Sequence, residues 1–544
     1  MTGQLKVETG FVSLPEGACG PFLRVPPFPG CKVDSFLTAP AIDRADADDL
    51  VDVIRRMRVG GTYWAARPAL PDRYVLLRST GADLDDGSSK VVWTSRPVAA
   101  PRGSVMVTGD CDPWHMLAGA TALFAETPDE VTLIATILGV PVHLKDPFSN
   151  AFEETTLDVA SSLATVLGNT GFVNPFTGDP MSARETIELC GFWRALIDSN
   201  RDISGALGFA FWKRDNVAPL LWGGSPVRFA DDADGSAGPV AIWRSKASED
   251  VVAKLERSGT KLIEVEDGFL RSQGLGADCV PPLSITVDRL GAYFDPAQPS
   301  ELESLLQDGL FTDELLERAQ ALRFAIVGAG LGKYEVGGAP LDRPAGSKCH
   351  ILVPGQVEDD RSVLTGGCGL ASNLELLKRV REQAPDAYIL YKPHPDVVAG
   401  HRKGSISDKD CLEFADQVVM DQPISSLIEM VDEVHVNTSL AGFEALMRNK
   451  PVITHGVPFY AGWGLTRDLG PVPARRSAKR TLDELVAAAL LQYPRYLDPL
   501  SGLPCPAEVV VRRLVDGIEG QDGVVVTMRR LQGKVMRRLR EMVG

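Results

Sequence analysis

Five short strings place ionisable or hydrogen-bonding side chains directly after apolar runs, where chemistry could be held in place. Glu266-Asp267-Gly268 follows KLIEV. Adjacent carboxylates repel, and partial burial raises at least one of their pKa values, which suits a general acid or base; an exposed acidic turn fits so short a string equally well. Gln356-Val357-Glu358-Asp359-Asp360-Arg361-Ser362 follows HILVP. A carboxylate fixed there can attack an anomeric carbon, while Asp360 or Ser362 could equally cap a helix. Lys392-Pro393-His394-Pro395 follows AYILY and holds one of only seven histidines. Its two prolines stiffen the backbone, so that imidazole and ammonium offer two donors on a preset loop, a combination suited to a phosphate. In Thr438-Ser439-Leu440-Ala441-Gly442-Phe443-Glu444, Ser439 reads as a helix N-cap whose free N–H groups could bind an anion. Gly442 would allow close approach, and Glu444, one turn in, could accept from ribose hydroxyls; the bland alternative is a capping serine and a solvated glutamate. GVPFYAGWGLT (456–466) sets three aromatics among glycines, either lining a cleft or packing beneath a loop.

The elements that must position these groups alternate. GPVAIWRS (238–245) reads as a strand, SEDVVAKLERSG (248–259) as a helix and KLIEVED (261–267) as a strand. The rhythm returns in KCHILVPGQ (348–356), NLELLKRVREQAP (373–385), AYILYKP (387–393), VDEVHVN (431–437), SLAGFEALMRNK (439–450) and PVITHG (451–456). Such alternation predicts parallel sheets with crossover helices. The Gly/Ala/Pro-rich stretch 329–347 reads as a linker between two such halves. The expected fold is α/β, with two facing Rossmann-like halves and a ligand at the carboxyl ends of their strands.

A degenerate repeat precedes them. VNPFTGDP (173–180) recurs as LDPLSGLP (497–504), and TLIATILGVPVHL (132–144) aligns with GFEALMRNKPVIT (442–454). RYVLLRST (73–80) sits like AYILYKPH (387–394), and PFLRVPPFPG (21–30) like HILVPGQVED (350–359). On that alignment Lys-Pro-His-Pro becomes Arg78-Ser79-Thr80-Gly81, Glu444 becomes Ile134, and the Gln…Asp segment becomes PPFPG. The apolar skeleton survives and the candidate chemistry does not, which predicts one active site, in the second copy. The expected divisions are a degenerate Rossmann-like copy at 1–150, a helical connection at 151–200, two halves of a catalytic module at 201–345 and 346–475, and C-terminal helices at 476–544.

Composition excludes several classes. With 56 Lys+Arg against 72 Asp+Glu, the 544-residue chain carries a net charge of −16, the wrong sign for a protein that grips nucleic acid by its phosphates. No run approaches the ~18 apolar residues of a membrane span, and MTGQLKVETG lacks the apolar stretch of a signal peptide. The nine cysteines include no C-x-x-C pair, which predicts reduced thiols. The expectation is a soluble cytoplasmic protein.

VEDGFLRSQGLGAD (265–278), LGAYFDP (290–296), PGQVEDDRS (354–362), YKPHPDVVAGHRKG (391–404), TSLAGFEAL (438–446) and PFYAGWGLT (458–466) together resemble the capsule polysaccharide biosynthesis proteins of the KpsC type, which are retaining β-Kdo glycosyltransferases. The likeness extends over roughly residues 170–520. It implies a GT-B-like fold and transfer of Kdo from CMP-β-Kdo, with retention, onto a lipid-linked, Kdo-primed acceptor. Carried over by motif, Asp360 is the nucleophile that holds a covalent Kdo adduct, and Asp267, or less favourably Glu266, is the acid/base. Lys392 and His394 meet the CMP phosphate, while Ser439, Gly442 and Glu444 take the nucleotide end. Gln356 and Arg271, from the same motifs, are expected to bind substrate. CMP leaves as an anion that fixed cationic and N–H donors stabilise, so neither metal nor cofactor is expected. Members of that family carry two catalytic copies, whereas the first copy here lacks the motifs, and one linkage type is expected. Two other readings stay open: an inverting CMP-sialic-acid-type transferase, and a non-catalytic capsule assembly factor that binds CMP-sugar. In MRRLQGKVMRRLREMVG (528–544), Met528, Leu531, Val535, Leu539 and Met542 recur at near-helical spacing among six basic residues and one acidic residue. Such a helix suits the anionic inner face of the inner membrane or capsule assembly proteins as partners, or packs on its own domain.

Overall fold

The structure is a computed structural model that describes residues 22–33, 44–78, 87–98, 103–168, 172–230, 238–270, 281–331, 343–344, 346, 348–400 and 402–518. Arg271 and the basic tail at 528–544 lie outside the described residues. The chain divides into two compact units, one within Met1–Asp202 and Leu221–Pro226, the other within Ile203–Leu220 and Val227–Gly544. The helix Ala183–Asn200, expected in a separate connection, therefore belongs to the first unit. Segments 346–475 and 476–518 belong to the same unit as the residues that follow 227.

In the first unit, β1 (Tyr74–Leu77), β2 (Lys90–Thr94), β3 (Val105–Thr108), β4 (Ala120–Ala125), β5 (Val142–Lys145) and β6 (Phe152–Glu154) form a sheet in the order β3-β2-β1-β4-β5-β6. All four side chains of β1 are buried, as a parallel strand covered on both faces requires. The helix Glu130–Leu138 crosses from β4 to β5, opened by Asp129 in a capping box with Thr132 and closed by Gly139 in the left-handed conformation. A hairpin of β7 (Phe172–Val173) and β8 (Pro180–Met181) then leads into the helix Ala183–Asn200.

The second unit holds two sheets. In one, β9 (Gly205–Leu207), β10 (Phe229–Ala230), β11 (Val240–Ile242) and β12 (Leu262–Asp267) run parallel, and β13 (Ser284–Asp288) pairs antiparallel to β12. The helix Glu249–Arg257 lays Val252 and Leu255 on Leu207, Val240 and Ile242. The other sheet contains β14 (His350–Pro354), β15 (Tyr388–Lys392), β16 (Gln417–Val418), β17 (Glu433–Val436), β18 (Val452–Thr454) and β19 (Arg467–Asp468), in the order β16-β15-β14-β17-β18-β19. The helix Asn373–Gln383 packs Leu376, Leu377 and Val380 against Ile351, Val353 and Ile389. Each such side chain contributes about 1.5–3 kcal/mol on burial. The chain then returns to the first of these sheets, where β20 (Pro494–Leu497) pairs with β13 and with β21 (Pro504–Cys505).

The repeat is therefore real, in a different register from the one the sequence suggests. Its hairpins match residue for residue: Val173 pairs with Pro180 and Leu497 with Pro504. Ile134 and Glu444 also correspond, each five residues beyond its N-cap, Asp129 or Ser439. The strand assignments are corrected by sheet order. RYVLL forms β1, which occupies the central place of HILVP (β14) and not that of AYILY (β15), while the described residues 22–33 form no strand at all. The counterpart of β15 is β2, so Ser95 and Arg96 stand where β15 runs on into Pro393 and His394. Apolar runs of equal length carry no label for their neighbours, and only the hydrogen-bonded order tells them apart.

Candidate active site

Within the second unit, the carboxyl ends of β11, β12, β14, β15 and the β17 turn open onto a cleft of about 480 Å³. Asp360, Glu266, Asp267, Lys392 and His394 all line it, as do Gln356, Ser439 and Glu444. Eight of the ten residues expected at the site thus meet in one place. Gly442 is absent from that lining, and Arg271 lies outside the described residues.

Asp360 is at once a cap and a wall of the cleft. Its Oδ1 accepts from the Ser362 N–H at 3.0 Å and the Ser362 hydroxyl at 2.7 Å, starting the helix Arg361–Gly366 and fixing the carboxylate at its mouth. The next residue, Arg361, reaches the other half of the unit: its Nη1 lies 2.8 Å from Glu266 Oε1 and 3.4 Å from Glu264 Oε2. Arg244 holds the other Glu264 oxygen at 2.6 Å.

The two carboxylates of E-D-G live in different surroundings. Burial pushes the Glu266 carboxyl up to about 7; Arg361 opposes this, Glu264 adds to it, Lys213 opposes and Asp360 adds. Asp267 instead pairs with Lys213 Nζ at 2.9 Å, and that ammonium also sits 3.4 Å from the centroid of the Trp243 ring. Gly268 is required because an added methyl would collide with the Ser284 hydroxyl.

Gln356 makes hydrogen bonds within the protein. Its side-chain N–H donates to Thr438 Oγ1 and its Oε1 accepts from the Thr438 N–H, both at 2.9 Å, while its backbone N–H donates to Asn373 Oδ1 at 2.8 Å. It ties the β14 loop to the β17 turn, which positions both. The same residue lines the cleft.

Lys392, 7% exposed, donates to the Met420 carbonyl at 3.1 Å. Burial lowers its pKa, with Asp421 opposing. His394 caps the short helix Pro395–Val398, its Nδ1 accepting from the Asp396 N–H at 3.2 Å. An accepting Nδ1 assigns the proton of the neutral ring to Nε2, which makes that atom a donor.

Ser439 caps the helix Leu440–Met447 as expected, accepting from the Ala441 N–H at 3.2 Å. Glu444 is 4% exposed, on the cleft wall and not on a solvated face. Gly442 is small for another reason than ligand approach: a methyl there would strike the Tyr460 hydroxyl, which donates to the Ser439 carbonyl. The aromatic loop does both things foreseen for it. Pro458 and Phe459 line the cleft, while Phe459 stacks on Phe269 at 4.6 Å and Tyr460 and Trp463 are fully buried.

Residues that the motifs did not single out complete the walls: Trp212, Lys213, Trp243 and Lys246 beside β11, and Asp396 and Arg402 beside β15. Lys213 stands 54 positions from its partner Asp267, and no local pattern announces it. Arg361 lay in view beside Asp360, but nothing in its spacing named Glu266. Among the described residues no group of three or more His, Cys, Asp or Glu is arranged to hold a metal ion.

Two Rossmann-like halves that open toward each other at the carboxyl ends of their strands define a GT-B-like α/β fold. The chain belongs to the capsule polysaccharide biosynthesis protein family, which it matches over residues 239–496. It is 39% identical over 365 residues to the capsule polysaccharide modification protein LipA of Neisseria meningitidis serogroup B, covering 65% of this chain and 51% of that protein. It is 46% identical over 244 residues to the lipopolysaccharide-processing protein LpsZ of Rhizobium meliloti, covering 44% and 55%. The chain thus matches about half the length of these relatives. Among solved structures, a Thermosulfurimonas dismutans KpsC, beta Kdo 2,4 transferase, superposes with a TM-score of 0.51 at 32% identity, covering 57% of this chain and 98% of that one. The KpsC beta Kdo 2,7 transferase of the same organism gives a TM-score of 0.47 at 35% identity with the same coverage.

Proposed function

We propose that the protein is a glycosyltransferase of capsule polysaccharide biosynthesis that moves Kdo from CMP-β-Kdo, with retention, onto a lipid-linked, Kdo-primed acceptor. One observation carries the reading: Asp360, Glu266 and His394 line a single cleft. In the first step an Asp360 oxygen bonds to the anomeric carbon, and the bond from that carbon to the phosphate oxygen breaks with its electron pair leaving on CMP. The Nε2–H of His394 donates to the departing phosphate, and the Lys392 ammonium adds positive field behind it. In the second step the acceptor hydroxyl attacks the anomeric carbon, the ester bond to Asp360 breaks, and the hydroxyl proton passes to a carboxylate of β12. Glu266 suits that task better than Asp267, because its carboxyl is poised near neutrality while Asp267 is committed to Lys213. Ser439, at the helix start, and Glu444 serve the nucleotide end. Neither step calls for a metal, and the acceptor meets the protein from the β11–β12 side.

The test is incubation with CMP-β-Kdo and a synthetic Kdo-primed lipid. Wild type is expected to yield a β-linked product and, without acceptor, a Kdo mass adduct on the peptide containing Asp360; Asp360→Ala is expected to give neither. An inverted linkage, or a product without an adduct in any time course, would overturn the double displacement. Among the described residues no helix is long and apolar enough to cross a membrane. The basic segment 528–544 is proposed to hold the chain at an anionic inner-leaflet surface, and its deletion is expected to abolish binding to anionic liposomes.

A further inference from the structure

Arg361 joins two features that the transfer reaction uses at different moments. Its backbone begins the helix capped by Asp360, and its guanidinium reaches Glu266 at 2.8 Å and Glu264 at 3.4 Å on the opposite half of the unit. The guanidinium also lies over the Phe294 ring, 5.1 Å from its centroid, which holds its plane. Asp360 and Glu266 line the same cleft, and of the charges that act on Glu266 the Arg361 guanidinium is the strongest, followed by Glu264 and Lys213, with Asp360 the weakest. Lys213 is engaged by Asp267, and Glu264 by Arg244. Arg361 is therefore the cation placed to decide how strongly that charge is felt.

We infer that Arg361 is a positioning residue that couples the charge of Asp360 to the proton on Glu266, so that formation of the sugar ester on Asp360 converts Glu266 from a proton holder into the base for the acceptor hydroxyl. This rests on the transferase reading above. Before reaction Asp360 is anionic, and the Glu266 carboxyl, pushed up to about 7 chiefly by burial, keeps its proton in a sizeable share of molecules near neutrality, so that less negative charge faces an anionic donor. When Asp360 bonds to the anomeric carbon and CMP takes the electron pair, the Asp360 charge disappears. With that repulsion gone, Arg361 favours the ionised form of Glu266, whose proton passes to water in the open cleft. The acceptor hydroxyl then gives its proton to Glu266 as its oxygen displaces the Asp360 ester, and the pair returns to Asp360. The cycle closes with the charges as they began.

The experiment uses the full chain as wild type, Arg361→Gln and Arg361→Lys, with CMP-β-Kdo as the donor. The adduct is read by intact-mass spectrometry without acceptor, and kcat for transfer is read across pH 5.5–9. Removing the cation raises the proton affinity of Glu266, so the ascending limb of the Arg361→Gln profile is expected to move up by about one pH unit. Transfer near neutrality falls by about tenfold and recovers at alkaline pH, while the adduct still accumulates. Arg361→Lys, which keeps a charge but loses the fork, is expected to show a smaller displacement of the limb, and it supplies the answer should Arg361→Gln fail to fold. A limb in the wild-type place in whichever variant folds would overturn the inference, as would adduct and transfer falling together at every pH. A wild-type protein that transfers no sugar would instead overturn the transferase reading itself.

Discussion

The two six-stranded sheets, β3-β2-β1-β4-β5-β6 and β16-β15-β14-β17-β18-β19, share a strand order and part company at the strand ends. Both place a capped helix after the strand that follows the central one, opened by Asp129 in the first and Ser439 in the second. In the second sheet the cap is neutral, so the positive end of the helix is not answered by a carboxylate of its own. In the first, the Asp129 carboxylate takes the N–H groups of Val131 and Thr132 and also pairs with Arg78, whose guanidinium lies over Trp93. Arg24 pairs with Glu130 beside it. Burial pushes the Glu130 carboxyl up while Arg24 opposes. The switch point that would receive an anion is thus filled by the protein's own charges. A sheet can keep its strands, its cap and its crossover while losing a site, because the site depends on a few polar positions and the scaffold does not.

The sharpest way to break this contrast is to remove one carboxylate or cation from each sheet. Asp360→Ala deletes the proposed nucleophile and is expected to lower transfer on the order of 10³–10⁴-fold. Arg78→Ala, at the end of the corresponding central strand β1, is expected to change it by less than about twofold. Comparable losses in a steady-state Kdo transfer assay would show that both sheets serve the reaction. A smaller effect is expected at the next strand end. His394→Ala removes a donor to the leaving phosphate and is expected to cost about 10²-fold in kcat. It should also weaken CMP binding measured by calorimetry, whereas Arg96→Ala, at the end of β2, leaves that binding intact. The titration should give one CMP per chain; a stoichiometry of two would show the first sheet to be a site after all.

Much of the scaffold is legible in the sequence. Alternating β and α patterns and the serine cap at Ser439 are local signals, and the structure realises both. The register of the repeat is not local. YVLL and ILVP are equally apolar, so their places in their sheets depend on neighbours far along the chain. The site divides in the same way. Asp360, His394 and Ser439 sit at strand ends, where the pattern points, whereas the difference between Glu266 and Asp267 arises from Arg361 and Lys213, 95 and 54 residues away. The contacts of Gln356 with Thr438 and of Gly442 with Tyr460 answer to geometry and not to spacing.

The two hairpins offer the mildest test, because here the copies agree in shape while a neutral Asn174 stands where the other has Asp498. Asn174 and Asp498 occupy one position: each backbone N–H donates across the turn, to Asp179 or Leu503, and each carbonyl accepts from a glycine N–H, Gly178 or Gly502. The side chains repeat the pattern, since Asn174 Oδ1 accepts from the Thr177 N–H at 3.3 Å and Asp498 Oδ2 from the Ser501 N–H at 3.0 Å. Asp498, however, is wholly buried and held by Arg513 at 2.8 Å. Burial pushes its carboxyl up, but Arg513 and Ser501 outweigh that and hold it below the ordinary carboxylate range. A depressed carboxyl stabilises the fold above its unfolded pKa, and that contribution is lost as pH falls through the folded value. Asp498→Ala strands the Arg513 charge in the interior and is expected to cost about 3 kcal/mol at pH 7. The matching Asn174→Ala gives up neutral hydrogen bonds at a half-buried turn and is expected to cost about 1 kcal/mol, with no pH dependence of its own. Urea unfolding at pH 7 and at a pH well below the ordinary carboxylate value separates the two: the penalty of Asp498→Ala should shrink on acidification and that of Asn174→Ala should not. Equal penalties at both pH values would mean that the hairpin is held by its backbone alone, and that the buried charge in the second copy adds nothing to the turn it shares with the first.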